Sequence, residues 1–429
     1  MDYIERFIHY NRKLPSPTIY KETCALFSLA CSVGRNIYLG PWNKPIYPNL
    51  YIGLVGPPAI LHKSTCIEVA EQIVEMAEVT NHMPNAGSRE VIAFRLKKLQ
   101  NPPPAQIDTW EDVVTGAEGS FFVGELSDLF GMPHVKDDKL IGWFQTWFDS
   151  RPPYRPWTYD SLSREGEPEK LYQLCIQLAF GTTPRYIHDK FPEGCTEQGW
   201  GSRVLWVCQG PEEAISSRVP WDWKVEESVE LSNFLREVRK IRQEIVFTLE
   251  GKNFWDEWNT VWFRSMQSSK DDRTRGFLAR QPEYLIKLGI LKAVSKQERW
   301  VDLKLTDDDL LYADEIFHKL SPGIEDLWSV VQKDDTTILA ESMREYLKNC
   351  TLTYTKPDNQ TVADIPAAPL GHFRSVYTKR EGDIRVSKAI DVMLKVGWAR
   401  IPFGRALIPG LGHRKIIEYV PDNEIDGRE

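Results

Sequence analysis

The stretch Tyr51–Ala77, YIGLVGPPAILHKSTCIEVAEQIVEMA, runs from an apolar segment through a Gly-Pro-Pro turn to a Lys-Ser-Thr triplet and an amphipathic helix pattern. A phosphate-binding loop needs inward-turned backbone N–H groups, a helix N-terminus aimed at the anion, a lysine for the β- and γ-phosphates, and a hydroxyl for Mg²⁺. Gly56 follows the apolar run, and Lys63, Ser64 and Thr65 open the helix, so these are the candidates for ATP and Mg²⁺. The usual spacing, G-x-x-x-x-G-K-[ST], puts glycines at positions 57 and 62, where this chain carries Pro57 and His62. Taken alone the match is weak, since any strand, turn and helix with a lysine imitates it. His62 is either a phosphate donor or a surface side chain at a position where φ need not be positive, and the second is the simpler expectation.

Three further stretches place chemistry at the ends of apolar runs. In FFVGELSDLF, Glu125 stands where a strand beside the loop strand would carry a water-polarising carboxylate and a Mg²⁺ contact. Gly124 stands where an Asp would be expected, and Asp128 lies too far along to replace it without a turn. A carboxylate that only starts a helix is the plainer alternative for Glu125. In AFGTTPRYI, Thr183 follows Thr182 at a strand end and could sense a γ-phosphate, although Thr-Thr-Pro also simply ends strands. In GWGSRVLWV, Arg203 precedes a strand, where an arginine can complete a neighbouring subunit's site in a ring.

The elements that position these groups follow from patterning. At 429 residues the chain exceeds one hydrophobic core, and with 42% hydrophobic and 27% charged residues it has ordinary globular composition. No apolar run reaches the roughly 18 to 20 residues of a membrane span, and MDYIERFIHYNRK lacks a signal-peptide core, so a cytoplasmic protein is expected. The seven scattered cysteines suggest neither zinc nor a disulfide framework. Residues 1–45 form a helical lead-in. Short apolar runs separated by helices or loops over 46–212 indicate an α/β domain with a mainly parallel sheet. Residues 213–330 read as helical throughout, a lid, in which Trp255, Trp258 and Trp262 share one helix face as packing residues.

Residues 331–429 read as three helices and two strands joined by a wing, a winged-helix layout. The net charge of −8 argues against a uniformly basic protein, but from Gly371 to Val420 ten basic residues face four acids. Arg385, Lys388 and Lys395 on the third helix, with Arg405, Arg414 and Lys415 on the wing, would meet duplex phosphates. Between the second and third runs, RPWTYDSLSREGEPEKLYQL reads as a hairpin whose Arg164 and Lys170 could follow a single strand in a channel. The neighbouring acids Glu165, Glu167 and Glu169 favour an ordinary solvated hairpin equally.

The order of these stretches resembles a family of ATPases carried by phages, prophages and other mobile elements: YPNLYIGLVG with KST, a strand ending in Glu, WFDSRPPYRPWTYDSLSREGE, a strand ending GTTP, GWGSRVLWV, and FLARQPEYLIKLGILKAV. That family is similar to RecA/AAA+-type replicative helicases and is often associated with primases. The resemblance covers roughly residues 5–325 and implies a P-loop core. It assigns Gly56, Lys63, Ser64 and Thr65 to phosphate and Mg²⁺, Glu125 to water, Thr183 to sensing, Arg203 to the trans-acting finger and Arg280 to nucleotide contact from the lid. The expected function is an ATP-dependent DNA helicase or translocase, working as a homo-oligomeric ring, a hexamer. A nucleotide-dependent DNA-binding scaffold or loader with little hydrolysis is the alternative that Gly124 favours. A small-molecule kinase using the same loop is disfavoured by the winged-helix pattern and the arginine order.

Overall fold

The computed structural model describes residues 1–41, 44–85, 89–131, 138–150, 152–159, 169–190, 199–210, 224–268, 278–296, 301–332, 335–356, 360–381, 383–396, 398–402, 406–409 and 411–421. They divide into two compact units, Met1–Val330 and Val331–Glu429. Both are α/β, and no described helix is long and apolar enough to cross a membrane.

The first unit is built on four parallel strands: Tyr51–Val55, Glu118–Val123, Cys175–Thr182 and Leu205–Cys208. Across the sheet they run second, third, first, fourth. Every residue of the first three is buried, as expected where apolar runs lack a polar alternation and both faces are covered. On one face, Tyr51 donates a hydrogen bond to the carbonyl of Phe144, 3.0 Å away, in the helix Asp138–Phe148. The opposite face packs on the helices Thr18–Val33 and Lys63–Ala77. Within Thr18–Val33 every residue from Tyr20 to Val33 is buried, the pattern of a helix enclosed all round.

The order corrects one expectation. The strand leading to Glu125 does not lie beside the loop strand Tyr51–Val55; Cys175–Thr182 is hydrogen-bonded between them. Its run CIQLAFGT contains no break and pairs along both edges, which a central strand requires.

Residues 225–330 are also not helical throughout. The strands Gln243–Phe247 and Lys304–Leu305 join Ile37–Leu39 in a second parallel sheet, with Gln243–Phe247 in the middle. The segment EIVF falls where helix is expected, but its consecutive β-branched and aromatic residues suit a strand once a parallel partner is present. Lead-in and lid segments therefore share one sheet. The helix Leu249–Ser268 carries its tryptophans half-buried in a ladder, with ring centroids 6.0 Å apart for Trp255–Trp258 and 6.3 Å for Trp258–Trp262. The indole of Trp258 donates to Asp314, and that of Trp262 to the Leu278 carbonyl, so the ladder is tied to the chain by its polar edges.

In the second unit the helices Asp335–Lys348, Leu370–Glu381 and Asp383–Lys395 enclose a core of Leu339, Met343, Leu347, Phe373, Val386 and Met393, closed by Ile417. The C-terminal segment holds more than two strands. Ala399–Arg400 and Ala367–Pro369 flank Ile416–Tyr419, while Ala406–Ile408 and Gly412–Arg414 extend a separate sheet from the hairpin Leu352–Thr355/Thr361–Ile365. Where two strands joined by a wing are expected, the described strands are shorter and more numerous, and Pro409 directly follows the strand Ala406–Ile408.

Candidate functional site

In a parallel sheet all carboxyl ends share one edge, and ligands gather where neighbouring connections diverge there. At that edge the loop Gly56–His62 leaves the first strand, held by the Gly56 N–H donating to the Thr182 carbonyl at 3.3 Å. Gly56 is enclosed: a Cβ there would lie 2.4 Å from Leu61 Cδ1, 2.8 Å from the Gln209 carbonyl and 3.0 Å from the Tyr20 hydroxyl. No larger residue fits at this position.

The loop ends in a conformation unlike the one expected. His62 has φ 50° and ψ 40°, and Ala59 has φ 69°, so two residues with side chains occupy left-handed backbone. The simpler reading of His62, a position with no need for positive φ, is wrong. The residue before Lys63 does adopt the conformation that glycine serves in the usual spacing, at a cost of roughly 1–2 kcal/mol for a residue with a Cβ. The His62 side chain does not cap the helix it precedes. The first N–H groups of the fifteen-residue helix Lys63–Ala77 thus keep the orphan donors and positive dipole end that suit an anion.

Lys63 is 6% exposed, and its ammonium donates to the carbonyls of Gly56 and Pro57, each at 2.9 Å. Burial pushes its pKa below the usual value, and Glu125 opposes that shift. Glu125 follows the strand Glu118–Val123 at the N-cap of the short helix Leu126–Phe130, but its side chain makes no capping bond. The carboxylate is therefore not consumed by the helix start. Its pKa is raised chiefly by desolvation, against the pull of the Lys63 ammonium and with the help of Asp128. Gly124 faces the triplet, since a Cβ on it would lie 3.6 Å from Ser64 Cβ. Gly181 lets the two strand ends close up, because its own Cβ would meet the Gly124 carbonyl at 2.4 Å.

The two threonines divide. Thr183 accepts a hydrogen bond from the Tyr186 N–H at 3.2 Å and so opens the next helix, Pro184–Lys190. Thr182, fully buried, has a hydroxyl with no partner among the described residues. Ser64 and Thr65 are half-buried in the first helical turn. Ser64, in the first helical turn, and Glu125, at the strand end, are oxygen donors of the kind that Mg²⁺ takes alongside waters and phosphates. Among the described residues no cluster of three or more His, Cys, Asp or Glu side chains forms a metal cage.

Arg203 and Arg280 lie away from this group. Arg203 precedes Leu205–Cys208, so it sits at the amino edge of the sheet, and the six-residue path to Gln209 beside Gly56 spans about 20 Å of extended chain. Its guanidinium donates to the Gly199 carbonyl at 2.7 Å and to Asp149 at 3.0 Å. Arg280 donates to the other oxygen of Asp149 at 3.1 Å and to Glu283 at 2.9 Å. Lys287, 1% exposed, pairs with Glu283 at 3.0 Å and donates to Asn49 just ahead of the loop strand. Burial alone would raise the Glu283 carboxyl, but Lys287 and Arg280 hold it below its usual value. Arg280 is thus gathered with Arg203, not with Lys63.

Sequence reading passed over Asp149 and Glu283. The spacing of Arg280, Glu283 and Lys287, three and four residues apart on one helix, carried the signal for Glu283. Asp149, at a turn in FDSRPP, gave none.

Lys170 is exposed in the antiparallel pair Trp157–Tyr159/Glu169–Leu171, whose neighbour Glu169 is paired with Lys97. Arg164 and Arg405 lie outside the described residues. Arg385 belongs to the helix Asp383–Lys395, on which Lys388 and Lys395 are exposed; Arg414 and Lys415 are exposed just before the strand Ile416–Tyr419. The six described cysteines are in no disulfide. No protein-family model matches the chain, and no curated protein matches it significantly.

Proposed function

We propose that the chain is an ATP-dependent DNA translocase or helicase of a mobile genetic element, with a RecA/AAA+-like P-loop core in the first unit and a winged-helix DNA-binding domain in the second. The observation that carries the reading is the meeting, at one sheet edge, of a left-handed loop end, an uncapped helix N-terminus, a buried lysine and an uncommitted glutamate. In this reading the triphosphate of ATP takes the Lys63 ammonium from the carbonyls of Gly56 and Pro57 and accepts from the first N–H groups of the helix. Ser64 and Glu125 would hold Mg²⁺, which would supply neutralisation of the phosphate charge. Glu125, with its raised pKa, accepts a proton from the attacking water.

Arg203, at the edge opposite Lys63, would serve another copy's nucleotide as the trans-acting finger of a homo-oligomeric ring such as a hexamer. Lys170 and Arg164 would follow single-stranded DNA, while Lys388, Lys395, Arg385, Arg414, Lys415 and Arg405 would meet duplex phosphates. A primase is the partner that the family resemblance suggests.

Hydrolysis of ATP, with and without single-stranded DNA, tests the reading. Lys63→Ala should lose about 100-fold or more in turnover, the scale of removing one transition-state charge contact. A Lys63→Ala protein hydrolysing at the wild-type rate ends the proposal. Gly124 favours a second reading, a DNA-binding scaffold or loader that uses ATP for assembly; ATP-dependent DNA retention without turnover would select it.

A further inference from the structure

The first helix, Tyr3–Tyr10, and the start of the second, Thr18–Val33, border a groove of about 590 Å³ lined by Glu5, Ile8, His9, Arg12, Thr18 and Lys21. That volume is in the range of small-molecule sites. None of residues 56–65 lines it, so it is separate from the phosphate-loop edge.

Lys21 is the anomaly in this groove. It is 4% exposed, and its ammonium has no hydrogen-bond or ion-pair partner among the described residues. Burial lowers its pKa, against a smaller contribution from Cys66. A buried ammonium without a partner is costly, and an anion beside it removes the cost.

The start of the second helix has the same deficit. Pro17 at its N-cap offers no side-chain acceptor, its first turn holds no acid, and the N–H groups of Thr18 and Ile19 find no acceptor among the described residues. A sixteen-residue helix so begun presents orphan donors and its positive dipole end; the buried lysine adds to that charge, and an anion offsets both. Arg12 donates through Nη1 to the His9 carbonyl at 2.8 Å and to Glu227 at 3.4 Å, while its other nitrogens have no partner among the described residues. Glu5, the one acid lining the groove, accepts from the Asp2 N–H at 3.0 Å in the capping box of the first helix and does not pair with Lys21. The turn is also fixed in advance: the Ser16 hydroxyl donates to the Leu61 carbonyl and the Cys66 thiol to Ser16, each at 3.0 Å, and the Tyr20 hydroxyl donates to the Val55 carbonyl at 2.6 Å.

We propose that this groove is a second oxyanion site, distinct from the phosphate loop, and that it takes a small phosphate monoester. The phosphate accepts from the N–H groups of Thr18 and Ile19, from the Lys21 ammonium and from Arg12, and the organic body lies on the Ile8 side. The site stands apart from the translocase reading, because nothing in it requires ATP turnover.

The test titrates phenyl phosphate by calorimetry into the full chain carrying Lys63→Ala, so that the loop lysine contributes nothing. Binding is expected, and no binding overturns the site. Adding Lys21→Met should weaken it by about tenfold or more, the scale of losing one charge-assisted hydrogen bond, and unchanged binding overturns the role of Lys21. Without ligand, the thermal midpoint of the Lys21→Met protein should equal or exceed that of its parent, because an unpaired buried charge has been removed. A lower midpoint in a folded protein means that the ammonium is already paired, which overturns the argument for an anion. If Lys21→Met does not fold, Lys21→Gln replaces it in both measurements. Benzoate should bind at least about tenfold more weakly than phenyl phosphate, since it offers one charge where the phosphate offers two; equal binding overturns the choice of phosphate.

Discussion

Replacing Gly124 with Asp asks whether the missing carboxylate is the only thing this site lacks. The backbone at Gly124 is not left-handed, and a Cβ placed there meets nothing nearer than Ser64 Cβ at 3.6 Å, an ordinary van der Waals separation. The substitution should therefore fold. An aspartate carboxylate built from a Cβ so placed would lie beside Ser64, where it could act as an outer-shell partner to the Mg²⁺ ion proposed at that residue. Outer-shell partners change metal affinity by about 10- to 100-fold, or roughly 1.4–2.7 kcal/mol. Gly124→Asp should accordingly lower the Mg²⁺ concentration that half-saturates ATP hydrolysis by about tenfold or more. The new negative charge beside Glu125 should also raise that carboxyl's pKa further, moving the acid limb of the pH–rate profile to higher pH. Steady-state hydrolysis over a Mg²⁺ series at several pH values reads both. A folded Gly124→Asp protein with unchanged Mg²⁺ dependence would refute the placement of the ion at Ser64.

Two further substitutions probe the same edge. His62→Gly should be more stable than His62→Ala by about 1 kcal/mol in denaturant unfolding, because φ at 62 is positive and only glycine adopts it without a Cβ clash; equal stabilities would contradict the loop conformation. Asp128→Asn removes a charge that helps raise the Glu125 carboxyl, so Glu125 should ionise at lower pH and the acid limb of hydrolysis should shift downward, whereas an unmoved limb would remove Glu125 from the role of base.

What the sequence made legible and what it hid divide along a physical line. Buried strands announced themselves, because a strand covered on both faces must be apolar without interruption, and Tyr51–Val55 and Cys175–Thr182 are so. Their order was not legible, since an apolar run does not name its neighbours; only pairing shows that Cys175–Thr182 separates the loop strand from the Glu125 strand. Lys63 was legible from its place after a turn, but the left-handed backbone at His62 was not, because a histidine there hides a conformation that a glycine would have advertised. The arginines show the sharpest limit. Arg203 and Arg280 are 77 residues apart in the chain, and each was read as reaching toward a nucleotide by its own route. Asp149 brings them together, and a single acid in a proline-rich turn carries no periodicity that could reveal it. The consequence is that Arg280 belongs with Arg203 at the edge opposite Lys63, so that in the proposed ring it would share the role of Arg203 and would not contact nucleotide from the lid. Loss of Arg280 should then behave like loss of Arg203, rescued by chains that retain it and lack Lys63.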